Sequence, residues 1–194
     1  SQMLSYLSNR FVDFLLDNNI IKKEEKEIYV YGYQIIIASL ISILLVSVFG
    51  LVLHRFLESI LFLVVFIYTR QCSGGYHAKT FLSCSVLFLS LYMLLLLFVE
   101  AFQNKIDLYQ IICILSIYLL TIIKYAPLQN ENKILSHQTI MANRRRSIVV
   151  SVVWILLALG LFPWFSRFSI VITLTLGMVA MLMLIEKFRK EGQA

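Results

Sequence analysis

The sequence predicts an all-α, polytopic membrane protein, and two observations support this prediction. Of the 194 residues, 60% are hydrophobic and 14% are charged, whereas soluble domains are nearer half apolar and a quarter charged. The apolar residues form long runs without charged residues, such as 35–49 and 91–99, and lack the alternation of a membrane β-barrel. We therefore expect one membrane-embedded domain over 1–194, with an N-terminal segment 1–27, a helical bundle 28–186 and a tail 187–194.

The first 21 residues predict an amphipathic helix. Apolar side chains recur at helical spacing, and the polar ones avoid that stripe. The stripe consists of Leu4, Leu7, Phe11, Phe14 and Leu15. Such a helix either lies in the membrane interface or packs on the bundle as a cap, and the sequence leaves both possibilities open.

Six apolar stretches approach the length of about 20 residues that a helix needs to cross a membrane. They are 28–50, 56–70, 81–99, 107–124, 147–164 and 168–186. The second stretch is the shortest, and Glu58 lies near its outer end. We expect a helix-terminal carboxylate that reaches the interface there, and a functional intramembrane carboxylate is the alternative.

The basic residues predict the orientation of these spans. Of the 17 Lys and Arg residues, all but Arg55, Lys105 and Arg167 lie in segments on one side. Cytoplasmic segments have an excess of Lys and Arg, so we expect both termini and the connections 70–80 and 125–146 to be cytoplasmic. The net charge of +6 is then mostly a topology signal. We expect no nucleic-acid partner, which would require a soluble basic face.

Reactive residue types concentrate in the predicted cytoplasmic segment 70–84, which has the sequence RQCSGGYHAKTFLSC. A cysteine attacks as the thiolate, and a histidine base, nearby cations and a helix N-terminus all favour that form. His77 and Cys84 are therefore the candidate catalytic pair, with Cys84 in or just beyond the first turn of the third span. The two glycines alone indicate no more than a sharp turn.

The spacing of this pair sets a condition on the chain. Two turns of continuous helix would separate His77 from Cys84 by about 10 Å, whereas proton transfer needs about 2.6–3.2 Å between heavy atoms. We therefore expect the backbone to bend between them. One alternative makes Cys72, His77 and Cys84 zinc ligands, although their spacing matches no common zinc pattern. The other is a non-enzymatic transporter or scaffold in peptide export.

The segment Arg70–Cys84, with its Gly-Gly-Tyr-His core at 74–77 followed by Cys84, resembles the signature of the accessory gene regulator protein B family. The members of this family are bacterial membrane endopeptidases that process quorum-sensing propeptides. The chain length, the amphipathic N-terminal segment and the multispan layout are similar as well. The loop after Ala126 and Pro127 resembles the family more loosely, because Ile134 stands where a second proline is frequent.

The resemblance implies that His77 is the general base and Cys84 the nucleophile. It implies a thioester on Cys84, followed by cyclisation of the signal to a thiolactone or lactone. The implied partners are a propeptide of the AgrD type, the lipid bilayer of the bacterial cell membrane and a second copy of the chain, with no metal or other cofactor. The residues that we expect to bind substrate are Arg70, Gly74, Gly75, Lys79, Lys133, Arg144, Arg145 and Arg146.

Overall fold

A computed structural model describes residues 2–18, 20–74, 81–103, 105–128 and 137–191, without the side chains of 2–4, 81, 82 and 137. The helices in these ranges are α1 Gln2–Asp17, α2 Lys26–Val52, α3 Phe56–Ser73, α4 Phe81–Phe102, α5 Leu108–Tyr125, α6 His137–Leu161 and α7 Ser166–Glu191. A 3₁₀ turn over Lys23–Glu25 leads into α2. The predicted all-α class is confirmed.

Five helical segments in the described ranges are long and apolar enough to cross a membrane: Lys23–Val52, Phe56–Ser73, Ser83–Phe102, Leu108–Tyr125 and Ser166–Glu191. They overlap five of the six predicted spans, so the polytopic layout is confirmed. The remaining predicted span, 147–164, falls largely in α6. The apolar part of that helix follows three consecutive arginines and ends at Leu161, so it is shorter than the other five. A membrane crossing by α6 stays a prediction.

Helix α7 is the central element of the bundle. It is the most buried of the five membrane-length helices and packs against α3, α4, α5 and α6. Its buried side chains include Ile170, Val171, Leu176, Val179 and Met183. A helix that is apolar on most sides is expected at the centre of a bundle, where neighbours cover it all round.

Four charged residues join three helices at the end of the bundle where the predicted outer connections lie. Arg167 at the start of α7 pairs with Glu58 on α3 at 2.8 Å and with Glu100 on α4 at 3.2 Å. Arg55 pairs with Glu100 at 2.5 Å and with Glu58 at 3.6 Å. We call these four residues the outer ion cluster. Glu58 lies in the first turn of α3 as predicted, but it is buried against the two arginines.

Close backbone approach fixes the neighbouring turn between α2 and α3. The Arg55 N–H donates to the Gly50 carbonyl at 2.7 Å, and His54 closes the turn with a φ of 55°. A Cβ on Gly50 would overlap the Ser59 side chain. Ser59 Oγ in turn lies 2.6 Å from Tyr92 Oη on α4, so this turn and α4 are locked together by a buried hydrogen bond.

Helix α1 packs on α2 and leaves most of its apolar stripe uncovered. Val12 and Ser8 are buried, and Asp13 pairs with Lys26 at 2.7 Å. The Phe11 ring contacts Tyr33 in a tilted arrangement, with 4.8 Å between the ring centroids. Large parts of three stripe residues remain exposed, namely Leu7, Phe11 and Phe14. An amphipathic helix held on the bundle with an exposed apolar face favours the interfacial interpretation over the capping one.

Candidate active site

Arg70 occupies the last turn of α3 and has partners from three directions. Its guanidinium donates to the Gly74 carbonyl at 3.3 Å and lies 5.8 Å from the centroid of the Phe66 ring. It is also within electrostatic range of Cys84 on α4 and Glu186 on α7. A half-buried cation thus lies within electrostatic range of the candidate nucleophile.

Cys84 lies in the first turn of α4, as the sequence predicted, and its side chain is exposed. The positive end of the α4 macrodipole favours an anion at this position. The next residue, Ser85, lies within hydrogen-bond distance of Ser42 on α2, with 3.1 Å between the two Oγ atoms. This contact connects the start of α4 to α2 and stabilises the first turn of α4, which contains Cys84.

The two predicted cytoplasmic connections meet directly beside Arg70. The Leu128 N–H donates to the Ser73 carbonyl at 2.9 Å, and Gly74 forms an isolated parallel bridge with Leu128. Gly74 has a φ of +70°, and a Cβ there would overlap the Leu128 carbonyl oxygen. Its role in the structure is therefore close backbone packing. From the sequence we expected Gly74 to form a turn and to contact substrate. The structure shows in addition that it packs against Leu128 of the second connection.

The end of α5 is also held at this end of the bundle. The Lys187 ammonium on α7 lies 4.0 Å from the centroid of the Tyr125 ring, a cation–π distance. On α6, Arg144 donates to the Ile123 carbonyl at 3.4 Å. Arg144, Arg145 and Arg146 are all exposed. The three arginines thus lie at the same end of the bundle as Cys84, and their binding of substrate stays a prediction.

Four of the predicted site residues lie outside the described residues: Gly75, His77, Lys79 and Lys133. The pairing of His77 with Cys84, and the bend between them, therefore stay predictions. The described residues contain no group of three His, Cys, Asp or Glu side chains that could hold a metal ion. Because His77 is not among them, the zinc alternative is left untested.

Glu186 near the end of α7 is a polar residue that the sequence analysis missed. It is only 5% exposed and accepts a hydrogen bond from Arg189 at 2.9 Å. Acidic residues are almost never buried unless they are paired. The available signal was a lone acid in an apolar helix, three and four residues before Arg189 and Lys190, a spacing that places these charges on one helix face.

The fold and the site define a multispan helical membrane protein with a thiol and an arginine at one end of its bundle. The model of the Accessory gene regulator B family matches residues 8–185. The chain therefore belongs to the accessory gene regulator B family, as the segment 70–84 predicted.

Individual relatives agree with this assignment. A putative AgrB-like protein of Clostridium perfringens strain SM101 is 31% identical over 57% of this chain and 54% of its own length. The putative AgrB-like protein 2 of strain 13 is 30% identical over the same shares. The accessory gene regulator protein B of Staphylococcus intermedius is 24% identical over 72% of this chain and 73% of its own. The chain thus spans about half the length of the two clostridial relatives. No solved structure matches the chain.

Proposed function

We propose that this protein is a membrane cysteine endopeptidase that cleaves a quorum-sensing propeptide and cyclises the signal. One observation carries the proposal. Cys84 lies in the first turn of α4, at the same end of the bundle as Arg70 in the last turn of α3. Family membership supports the substrate class, because the accessory gene regulator B family is named for the regulatory system that such signals serve.

The proposed reaction begins with attack by the Cys84 thiolate on a peptide carbonyl of the propeptide. His77 takes the thiol proton and passes it to the leaving amine as the C–N bond breaks. The C-terminal fragment departs, and the signal portion stays bound to Cys84 as a thioester. A thiol or hydroxyl within that portion then gives its proton to His77 and attacks the thioester carbonyl. The Cys84 thiolate leaves, and the product is a cyclic thiolactone or lactone.

Local features of the described residues suit both steps. The first four N–H groups of an α-helix have no partner within the helix, and Cys84 is the fourth residue of α4. Donors at such a helix end stabilise the oxyanion of a tetrahedral intermediate. A thiol at the membrane edge is also partly screened from water, which gives the acyl group time to cyclise before hydrolysis.

Paired substitutions test this proposal in cells that make the protein together with an epitope-tagged propeptide of the AgrD type. We expect Cys84→Ala and His77→Ala each to abolish propeptide cleavage while the protein still inserts into the membrane. Cys113→Ala is the matched control, because Cys113 is another exposed thiol but lies on α5, away from the site. Cleavage by the Cys84→Ala protein at the wild-type rate would rule out the peptidase and favour a transporter or scaffold.

A further inference from the structure

Four aromatic rings form a cluster between α3 and α4. The Phe88 ring on α4 lies 5.4 Å from Phe62 and 5.0 Å from Phe66 on α3, measured between ring centroids. Tyr92, one turn further along α4, lies 5.6 Å from Phe62. Aromatic pairs attract one another at centroid distances of about 4.5–7 Å. The cluster therefore provides a specific contact between α3 and α4, in addition to the packing of α4 on α2 and α7.

The cluster also determines which residues of the two helices face each other beyond it. The helices are antiparallel, because the outer ion cluster joins the start of α3 to the last part of α4. Four residues forward along α3 thus correspond to four residues back along α4, which leads from the pair Phe62 and Tyr92 to the pair Phe66 and Phe88. The next such step leads to the last turn of α3 and to Cys84, which shares a helix face with Phe88.

A second contact supports this orientation of α4. Ser85 Oγ lies 3.1 Å from Ser42 Oγ on α2, and Ser42 Oγ is itself held by its own helix at 2.9 Å from the Ala38 carbonyl oxygen. Ser85 and Phe88 lie about 60° apart around the helix axis, so they contact two different helices. The rotation of α4 about its axis is therefore determined by α2 and α3 together.

We propose that Phe88 is a positioning residue of the active site. Its ring packs on Phe62 and Phe66 and so turns the face of α4 that carries Cys84 towards the last turn of α3. Arg70 lies in that turn, with its guanidinium 5.8 Å from the centroid of the Phe66 ring. Phe88 touches neither the substrate nor the reacting atoms in this scheme and acts through the orientation of Cys84. The inference rests on the proposed function of Cys84 as nucleophile.

The first experiment measures propeptide cleavage by the full-length protein reconstituted in vesicles, with the rate expressed per folded molecule. We expect Phe88→Leu to lower kcat about tenfold with little change in KM, because a misplacement of about 1 Å can slow a preorganised reaction up to about a hundredfold. Phe88→Tyr, which keeps the ring, should retain most of the wild-type kcat. A purely structural role would instead lower the yield of folded protein and leave kcat per folded molecule unchanged.

Phe66→Leu removes the partner ring and should lower kcat in the same way as Phe88→Leu. The double variant should be no slower than either single one, because both changes remove one interaction. Phe98→Leu is the matched control, since Phe98 lies on the same helix and its ring contacts Phe102 of α4 itself at 5.8 Å. It should leave kcat unchanged.

The second experiment measures the orientation directly, on a Cys72→Ala/Cys113→Ala background. Arg70→Cys should be joined to Cys84 by a short bifunctional methanethiosulfonate, and mass spectrometry identifies the linked peptides. Gln71→Cys, which is rotated by about 100° on α3, should be joined severalfold less. Phe88→Leu should reduce the cross-link from position 70 severalfold, whereas Phe98→Leu should not.

Two results would overturn the inference. One is a wild-type kcat in Phe88→Leu, and the other is equal cross-linking to Cys84 from positions 70 and 71. Failure of the proposed function is distinguishable from both, because it appears as absent cleavage by the wild-type protein or as cleavage by Cys84→Ala. The cross-links report the orientation of α4 in either case.

Discussion

At the scale of single residues, Gly74 links the two halves of the candidate site. The backbone here, with a φ of 70° and a ψ of −155°, is essentially restricted to glycine and costs other residues on the order of 1–3 kcal/mol. The Leu128 carbonyl also occupies the space where a Cβ would lie. The carbonyl of the same residue accepts a hydrogen bond from Arg70. One glycine therefore determines both where the second connection docks and where the arginine is held.

We expect Gly74→Ala to reduce propeptide cleavage at least tenfold with normal insertion into the membrane. The methyl group must push Leu128 away and strain the backbone, which also moves the carbonyl that Arg70 contacts. Cleavage of a tagged propeptide at matched protein levels measures the effect. Gly160→Ala on α6 is the control, because nothing lies within 4 Å of the Cβ that it would add. Equal cleavage by the two variants would contradict the proposed role of the contact.

The residues of the candidate site differ in how well they could be predicted from the sequence. Cys84 was predictable because a thiol near a histidine, cations and a helix start has few structural uses. Arg70 could be predicted only as a cation near the thiol. Its contacts with the Gly74 carbonyl and the Phe66 ring could not be predicted. The burial of Glu186 was not predictable, because it depends on how α7 packs against helices that are distant in sequence. The docking of Leu128 on Gly74 was inaccessible for the same reason.

At the scale of helices, the outer ion cluster joins α3, α4 and α7 at one end of the bundle, beyond the apolar core. Glu58 is 8% exposed and has an arginine on either side. Removal of one member of such a cluster leaves the other charges partly buried and unpaired. Its contribution therefore exceeds that of an exposed surface ion pair, which is worth about 0–1 kcal/mol.

We expect Glu58→Gln to lower the stability of the folded bundle by about 1–3 kcal/mol, because Arg55 and Arg167 lose their shared buried partner. A thermal melt of the detergent-solubilised protein measures the change. Lys105→Gln is the control, since Lys105 is exposed and basic and lies on the same predicted side of the membrane. A Glu58→Gln protein as stable as Lys105→Gln would show that the cluster does not hold the three helices together.

The positions of the helices along the chain were largely predictable from the lengths of the apolar runs, because a membrane span requires a mainly apolar stretch of about 20 residues. Five predicted spans matched helices of membrane length. The arrangement was not predictable from run length. That α7 lies at the centre follows from which of its faces neighbouring helices cover. The middle parts of α2 and α7 are both apolar in sequence. Their difference in burial arises only from packing.

At the scale of the whole molecule, the structure separates two charged ends. The ends of α3, α5 and α7 meet near Arg70, Leu128 and Lys187. The outer ion cluster joins the opposite ends of α3 and α7 to the last part of α4. This grouping agrees with the division of basic residues between two sides in the sequence. The assignment of the Arg70 end to the cytoplasm, and the homodimer implied by family resemblance, stay predictions.

The exposed arginines on α6 lead to a prediction about substrate capture. We expect Arg145→Glu/Arg146→Glu to reduce cleavage of a propeptide with an acidic tail severalfold, because attraction becomes repulsion. Cleavage should recover when acidic tail residues are replaced by lysine. Arg144 is left unchanged, since it contacts the Ile123 carbonyl.

Lys22→Glu/Lys23→Glu is the matched charge reversal, because both lysines are exposed and lie on the same predicted side. Topology reporters at both termini show whether orientation is preserved in each variant. Full cleavage by the arginine variant in the correct orientation would eliminate this surface as a docking site.

The most direct measurement is the capture of an acyl group on Cys84. The wild-type protein is co-expressed with a propeptide, quenched in acid to preserve thioesters, and digested for mass spectrometry. We predict a Cys84 peptide heavier by the mass of the signal portion, which hydroxylamine releases and which His77→Ala does not form. Rapid propeptide turnover with Cys84 unmodified at every time point, or an equal yield of cyclic product from Cys84→Ala, would contradict the proposed mechanism.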